Sequence, residues 1–532
     1  MQGLNFQIQK PVTPSAPNRM DIACFIGLVN FRENIQPTEI YKWLYEQGWM
    51  NSREREGYLA TYHRESAEEL RDVPVPVESW EEFSRLFAWE GGAGGSDDNT
   101  GATGYLSAAV RSFFAQGGRK CYVVRVDDGL SLKAKKTERL QLVEKIIPGY
   151  PAGISVNRSD RTSWKGIGHV LGLPDVSIVC VPDLPALMQL DNSKIITQAP
   201  ELSHTPEEQF VECSEVYDEE VQDNSVDGIF APRCDLNGYK IWGEIVHILT
   251  VFIARYRIDI QLIVAVPLPS ESSTADKDLL GFMHRQLWLS GSVDMNQSVA
   301  SAFLQLSYPW LKTPGSQMLA ENIEPPDGAI AGMLARNALI RGAYRSASGI
   351  NQTDIQDIYP RLSREEMYAK WNSAAINASP QANLADRVSL FGYTPEGVEL
   401  LSDVTTSNIT LYRSANVNRI ISLVIRSATD AGDEFVFETN GEALWSEINR
   451  RLNALLRLLY DLGALRGKQP ENAFLVRCGR NTMTQNDIDS GRVIAEIHIE
   501  PAASIETIDV ILSMNRSGKI TLLAQGVKDK VA

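Results

Sequence analysis

At 532 residues and 43% hydrophobic content, the chain can build roughly two to four domains with sizeable cores, and it is too apolar for intrinsic disorder. A formal net charge of −16 argues against wrapping nucleic acid, which needs a basic face to neutralise phosphates. The six cysteines, Cys24, Cys121, Cys180, Cys213, Cys234 and Cys478, show no CxxC spacing, which argues against a disulfide framework or zinc site and fits reduced, cytoplasmic assembly.

Along the chain, Leu4, Phe6 and Ile8 alternate with polar residues, the period of a strand. The following PVTPSAPN carries three prolines and cannot continue a ladder. The result is a short strand on a stiff tether, which either returns to its own domain's sheet or is donated to a neighbouring subunit. This N-terminus lacks the apolar stretch of a secretory signal. Ile22–Asn30 reads as the first core strand, and 31–72 as a charged, mostly helical insertion. Leu106, Ala109, Val110, Phe113 and Phe114 make a helical stripe that Gly117–Gly118 ends, and Cys121–Val126 reads as a buried strand. A further strand, Val176–Val181, runs into Pro182–Asp183, and 184–235 is acidic and polar. Ile241–Ala254 reads as an apolar helix and Ile260–Val266 as a strand ending at Pro267. Strand and helix thus alternate from 100 to 270, which predicts an α/β layer. The longest apolar region, 248–268, is interrupted by Arg255, Arg257 and Asp259, so no membrane insertion is expected.

The C-terminal third begins its ordered pattern at Phe435–Phe437, a short strand. Thr439 and Glu442 have the spacing of a capping box. Leu444, Trp445, Ile448, Leu452, Leu455, Leu456, Leu459 and Leu462 form one apolar stripe, and Gly463 supplies a left-handed stop. Three strand-like segments follow at Phe474–Cys478, Arg492–Ile499 and Ile505–Met514, with Ile520–Leu523 beyond.

These landmarks resemble the contractile tail sheath proteins of phage tails, R-type pyocins and phage-tail-like injection systems. The resemblance rests on Phe435–Phe437 with Glu438 and Asn440, Leu444–Trp445, Gly463–Gly467, Ala473–Phe474, Val476–Cys478, Thr482, Thr484, Gln485, Asp487–Asp489 and Gly491–Val493. Earlier in the chain it is carried by VPVPVESWEEFSRLF, YLSAAVRSFFAQGGRKCYVVRV, Tyr308–Trp310, Pro326, Gly328, Ala331–Gly332, Ala335–Arg336 and Arg341–Gly342. Ala338 departs from a common Asp, and Ser346–Ala347 from a common Ala-Pro.

The resemblance implies a mixed α/β fold: a discontinuous α/β core domain built from N- and C-terminal regions, with inserted subdomains and extended terminal β-arms. The expected division is 1–20 as an arm, 21–30 with 73–130 as the first part of the core, 31–72 as an insertion and 131–346 as a middle α/β region. Beyond these come 347–402 as a surface insertion, 403–514 as the C-terminal domain and 515–532 as a second arm. The implied function is a structural subunit that polymerises around an inner tube and contracts without nucleotide or other cofactor. The implied partners are further copies in hexameric rings stacked helically, the inner tube, the baseplate and a terminal cap, with no nucleic acid contacted directly. Sheath regions at both ends of one chain favour the phage-like or extracellular machine over the two-chain type VI sheath.

Arms that add strands to a neighbour's sheet would keep subunits joined while their bodies slide. By resemblance, Leu4, Phe6 and Ile8 at one end and Val493, Ile497, Ile499, Ile508, Val510 and Leu512 at the other form this mesh. Arg450, Arg451 and Arg457 lie off the apolar stripe beside Glu447 and Asp461. They are either a tube-contacting patch of weak, salt-sensitive pairs or an ordinary solvated helix face.

Catalytic chemistry is not legible. GGAGGSDDNTG at 91–101 lacks the Lys-Ser/Thr of a phosphate loop, and Gly166, Gly168 and Gly172 miss the dinucleotide spacing. The six histidines, His63, His169, His204, His247, His284 and His498, never pair at metal-ligand spacing, and no catalytic triad can be assembled. Asp487 and Asp489 precede a turn glycine, where Asp caps its own backbone. The competing reading is an α/β enzyme with a β-rich oligomerisation domain, which a stoichiometric bound cofactor would favour. A static tube or capsid subunit is a third.

Overall fold

The computed structural model describes residues 19–89, 102–190, 231–270 and 300–502, except for 33–34, 36, 51, 54–60, 63–68, 132–133, 351, 353, 369–382 and 436–437, and adds the backbone of 510–514 and 520–524. The body opens with β1 (Ala23–Leu28), an apolar run buried along its whole length, as a central parallel strand requires. Next comes β2 (Pro74–Val77), whose two prolines remove donors from one side of the strand and so confine it to a sheet edge. The helix α1 (Trp80–Leu86) starts at Ser79, whose hydroxyl accepts from the Glu82 N–H. The predicted stripe forms α2 (Tyr105–Ala115), which leads into β3 (Cys121–Asp127). Then follow β4 (Ile178–Cys180), α3 (Leu236–Tyr256), β5 (Gln261–Ala265), β6 (Leu304–Tyr308), α4 (Asp327–Ile340), β7 (Val388–Thr394) and β8 (Gly397–Leu400).

These strands make one eight-stranded sheet in the order β8-β7-β6-β5-β4-β1-β3-β2. The inner strands are parallel, while β2 and β8 close the two edges in antiparallel sense. Phe25 of β1 lies opposite Val123 on one side and Cys180 on the other. From β1 the chain moves out to β3 and then returns past β1 to β4. The strand order therefore reverses between β1 and β4, as in doubly wound folds. On one face α2 packs against β1 and against α4.

The 347–402 segment is not wholly a surface insertion. Its last part supplies β7 and β8, and Val388, Leu390 and Phe391 are buried in the sheet. The apolar run of β7 is broken by Ser389, which is itself buried and satisfied, accepting from Gln305 Nε2 at 2.8 Å and donating to the Val404 carbonyl. The 31–72 segment holds a helix over Thr38–Glu46 and the two-residue strands Ser52–Arg53 and Thr61–Tyr62, and buries Trp49 edge-on against Trp164 and His169 of the body.

The C-terminal module comprises α5 (Ala415–Glu434), α6 (Glu442–Asp461), β9 (Phe474–Cys478), α7 (Gln485–Asp489) and β10 (Ala495–Ile499). A separate antiparallel pair, β11 (Val510–Met514) with β12 (Ile520–Ala524), follows. Several expectations are corrected here. Phe435 is a turn residue closing α5, not the start of a strand, and 436–437 lie outside the described residues. No capping box forms at Thr439–Glu442: Glu442 is already the first helical residue and Gly441 occupies the cap without a side-chain bond. The capping box forms instead between Thr484 and Asp487 at the start of α7. Leu462 is 45% exposed because it falls at the C-cap, past the stripe that Trp445, Leu452, Leu456 and Leu459 bury. Gly463 does terminate α6 with φ +79°. The strand expected from Arg492 begins only at Ala495, and the one expected from Ile505 is described only from Val510.

Candidate assembly interface

The module meets the body through polar groups. Arg419 of α5 forms a two-pronged pair with Asp403 at 2.6 and 3.1 Å and also donates to the Ala343 carbonyl, with both side chains buried. The preceding residue, Asn418, donates to Gln261 Oε1 at the foot of β5, and Asn416, about a turn earlier, donates to the carbonyls of Tyr344 and Ala502. Arg426 pairs with Asp259 at 2.8 Å and donates to the carbonyls of Arg19, Asp175 and Val176. These partners flank the N-terminal ends of β1, β4 and β5, so α5 lies along the foot of the sheet. Burial opposes ionisation of Asp403 and Asp259, yet the adjacent arginines outweigh it and hold both carboxyls below their ordinary range. A buried pair of this kind fixes geometry more than it adds stability.

The opposite side of α5 is apolar. Ile420 and Val424 pack with Leu456 and Leu459 of α6 and with Ala464, Leu465 and Ala473. A second small cluster joins Trp445, Cys478 and Met483. Asn440 ties this end together: its Oδ1 accepts from Trp445 Nε1 at 2.8 Å, and its amide donates to the carbonyls of Ile488 and Arg492. Thr482 donates to the Ile494 carbonyl at 2.7 Å. The landmarks Asn440, Trp445, Thr482, Thr484 and Asp487 are therefore pins that shape the module.

The ribbon is the incomplete part. β9 and β10 pair only with each other, Phe474 opposite Ile499 and Val476 opposite Ile497, so among the described residues both outer edges lack a strand partner. Beside the ribbon runs an open groove of about 820 Å³, floored by Ile421, Val424, Ile425 and Ala428 of α5 and by Phe474, Leu475, Ile497 and Ile499. An unpaired edge beside an apolar groove is what an added strand needs: backbone groups to bond and a surface for its alternate side chains. The α5 stripe Val417, Ile420, Ile421, Val424, Ile425 and Ala428, of which the last four line the groove, has the spacing of an amphipathic helix and was not read from the sequence.

The proposed arm residues separate on the structure. Leu4, Phe6, Ile8 and Ile508 lie outside the described residues, and Val510 and Leu512 fall in β11. Ile497 and Ile499 belong to the module's own ribbon and pack on its core, and Val493 packs beside Trp445. In this chain these three side chains are engaged with the module's own clusters. The arginines lie on the outer side of α6. Arg450 is paired with Glu447, Arg457 with Asp461 at 3.2 Å, and Arg451 with Glu434 while stacking on Phe435. Between them Leu458 is 56% exposed.

Among the described residues, no group of three or more His, Cys, Asp or Glu has the geometry to hold a metal ion, and no helix is long and apolar enough to cross a membrane. Gly166–Gly172 is a 3-10 turn, and 91–101 lies outside the described residues.

The fold is similar to that of chains in contractile tail-like particles. The chain aligns with one from the contracted baseplate of the anti-feeding prophage at TM-score 0.58 and 16% identity, covering 97% of this chain and 98% of that one. It aligns with the contracted helical sheath of the same particle at 0.52 and 15%, covering 97% and 99%. With the contracted PVC sheath of an extracellular contractile injection system it aligns at 0.50 and 14%, covering 98% and 99%. In sequence it resembles the tail sheath protein of Vibrio phage KVP40, 26% identical over 191 residues, which are 35% of this chain and 25% of that protein. The match thus spans about a quarter of the length of this curated relative. No protein-family profile matches the chain.

Proposed function

We propose that the chain is a structural subunit of a contractile sheath, which polymerises as a helical tube around an inner tube and shortens to drive it through a target envelope. The observation that carries this reading is the ribbon left open among the described residues beside its groove, on a chain that aligns over 97% of its length with one from a contracted helical sheath. A strand from a neighbouring copy, supplied by the N-terminal segment containing Leu4, Phe6 and Ile8 or by the β11–β12 pair, would complete the ribbon. Each backbone bond so made contributes about 0.5–1.5 kcal/mol net, and repetition through the lattice makes the link effectively permanent. Bodies can then repack during contraction without losing their connections.

The partners in this reading are further copies of the chain, a baseplate, a terminal cap and an inner tube met by the face of α6 that carries Arg450, Arg451 and Arg457. Assembly would take place in the cytoplasm, as part of a phage tail or tail-like particle, and the subunit would need no catalytic step. Negative-stain microscopy of the purified chain tests the class: striated hollow tubes are expected, and monodisperse globules would count against it. Removing residues 1–18 and 503–532 together should abolish the tubes while leaving the body folded. Ordered, contractible cylinders from that truncated chain would refute strand exchange.

A further inference from the structure

Doubly wound sheets bind their ligands outside the C-terminal ends of the strands, where the strand order reverses, with an anionic group at a helix N-terminus. In this sheet the reversal lies between β1 and β4, and the helix starting there is α2. Its N-cap, Gly104, has no side chain with which to cap the first turn. The anion comes instead from Asp183, just after β4. One carboxylate oxygen accepts from the Tyr105 N–H at 2.6 Å, and the other accepts from the Leu28 N–H at 2.7 Å, at the end of β1. The Leu106 N–H is a third donor.

Asp183 also stands at the N-cap of its own short helix, Leu184–Leu187, but makes no cap bond there. Its side chain reaches across to α2 and is 1% exposed. The floor of the crevice is fitted to it: a Cβ on Gly27 would lie 2.2 Å from Asp183 Oδ2. Burial pushes the carboxyl up to about 6 against the pull of its N–H donors, so it is an anion at neutral pH.

We infer that Asp183 is a resident anion: its carboxylate occupies the ligand crevice of the doubly wound sheet and locks β1, β4 and α2 together where related architectures hold a bound phosphate. This inference rests on the body alone and is independent of the sheath reading. It gives the crevice a definite role, as a closed internal joint, and it predicts that the place is vacant for a small carboxylate only when Asp183 is removed.

The test is chemical rescue. Asp183→Ala should lower Tm by about 5 °C or more. Sodium formate should recover a substantial part of that loss relative to equal sodium chloride, while leaving the wild type unmoved. Gly27→Ala provides an independent arm: its methyl collides with the carboxylate, so it should cost the wild type much more than it costs the Asp183→Ala chain. If Asp183→Ala keeps the wild-type Tm, if formate and chloride act alike on it, or if Gly27→Ala costs the same in both backgrounds, the inference fails. Should Asp183→Ala not fold, amide exchange in the wild type decides. Leu28 and Tyr105 should be protected like the centre of β1, and exchange as fast as in a solvent-exposed first turn would overturn the inference.

Discussion

In the body every residue of β1, β4, β5 and β6 is buried, and even polar residues such as Ser389 and Gln305 find partners inside it. In the ribbon only Cys478 of β9 is buried, none of β10 is, and among the described residues the two strands pair only with each other. The body is finished by its own chain, down to a carboxylate that fills the end of its sheet. Among the described residues the module leaves edge backbone and apolar side chains uncovered. A closed sheet resists local opening, whereas an open ribbon edge is a template for a further strand.

The comparison predicts unequal sensitivity to mutation. Phe25→Ala, within β1, should cost about 3–5 kcal/mol in denaturant unfolding, whereas Leu475→Ala, at an exposed position bordering the groove, should stay within about 0.5 kcal/mol. Equal losses would erase the distinction. Arg419→Met should be nearly as severe, about 3–5 kcal/mol, because it leaves the Asp403 carboxylate buried without its partner. Its signature should be local: proteolysis in the 403–415 segment before the body melts. A single cooperative melt with no early cleavage would mean that module and body are one unit. Asn440→Ala removes bonds to two carbonyls and to Trp445, and should cost about 1–3 kcal/mol, read as exposure of Trp445 by fluorescence.

The two regions should also respond oppositely to pH. Burial raises Glu324 to about 8 and Asp327 to about 7, and both belong to the body. Natively these groups keep protons that the unfolded chain has already released, so the body should lose stability as pH rises from about 4 through those values. Asp403 and Asp259, held low by their arginines, should support the α5 dock at neutral pH and release it as pH falls through their depressed values, below about 4. Melting followed separately in body and module from pH 3 to 9 checks this; parallel curves would contradict it. The smallest effect on the folded chain should come from Arg450→Glu with Arg451→Glu, with no resolved change in melting, because both lie in exposed pairs. The same change should abolish sheathing of inner tubes while leaving free polymers, and unchanged sheathing would remove these arginines from the interface.

Periodicity carried most of the element reading. The stripes of α2 and α6, the apolar runs of β1, β3 and β5 and the stop at Gly463 are local patterns, and each stands where its residues predict. The misses are equally physical. β7 escaped notice because Ser389 and Gly392 dilute its apolar character, and a polar residue can enter a sheet once a partner meets it there. The Thr439–Glu442 spacing matched a capping box, but Gly441 begins the helix two residues later and takes the cap position. The same motif at Thr484–Asp487 did form, so spacing alone does not choose between two such sites.

The alternation of strand and helix, the amphipathic faces and the turn stops were legible in the amino-acid order, because these depend on neighbours within a few residues. That order also carried spaced landmarks that resemble those of sheath proteins. Long-range packing alone brings Asp183 to Leu28 and Tyr105, docks the module through Arg419 and Asp403, and, among the described residues, leaves the ribbon open beside a groove. Those outcomes join residues as much as 155 positions apart, and no local pattern encodes which distant donor a buried charge will meet.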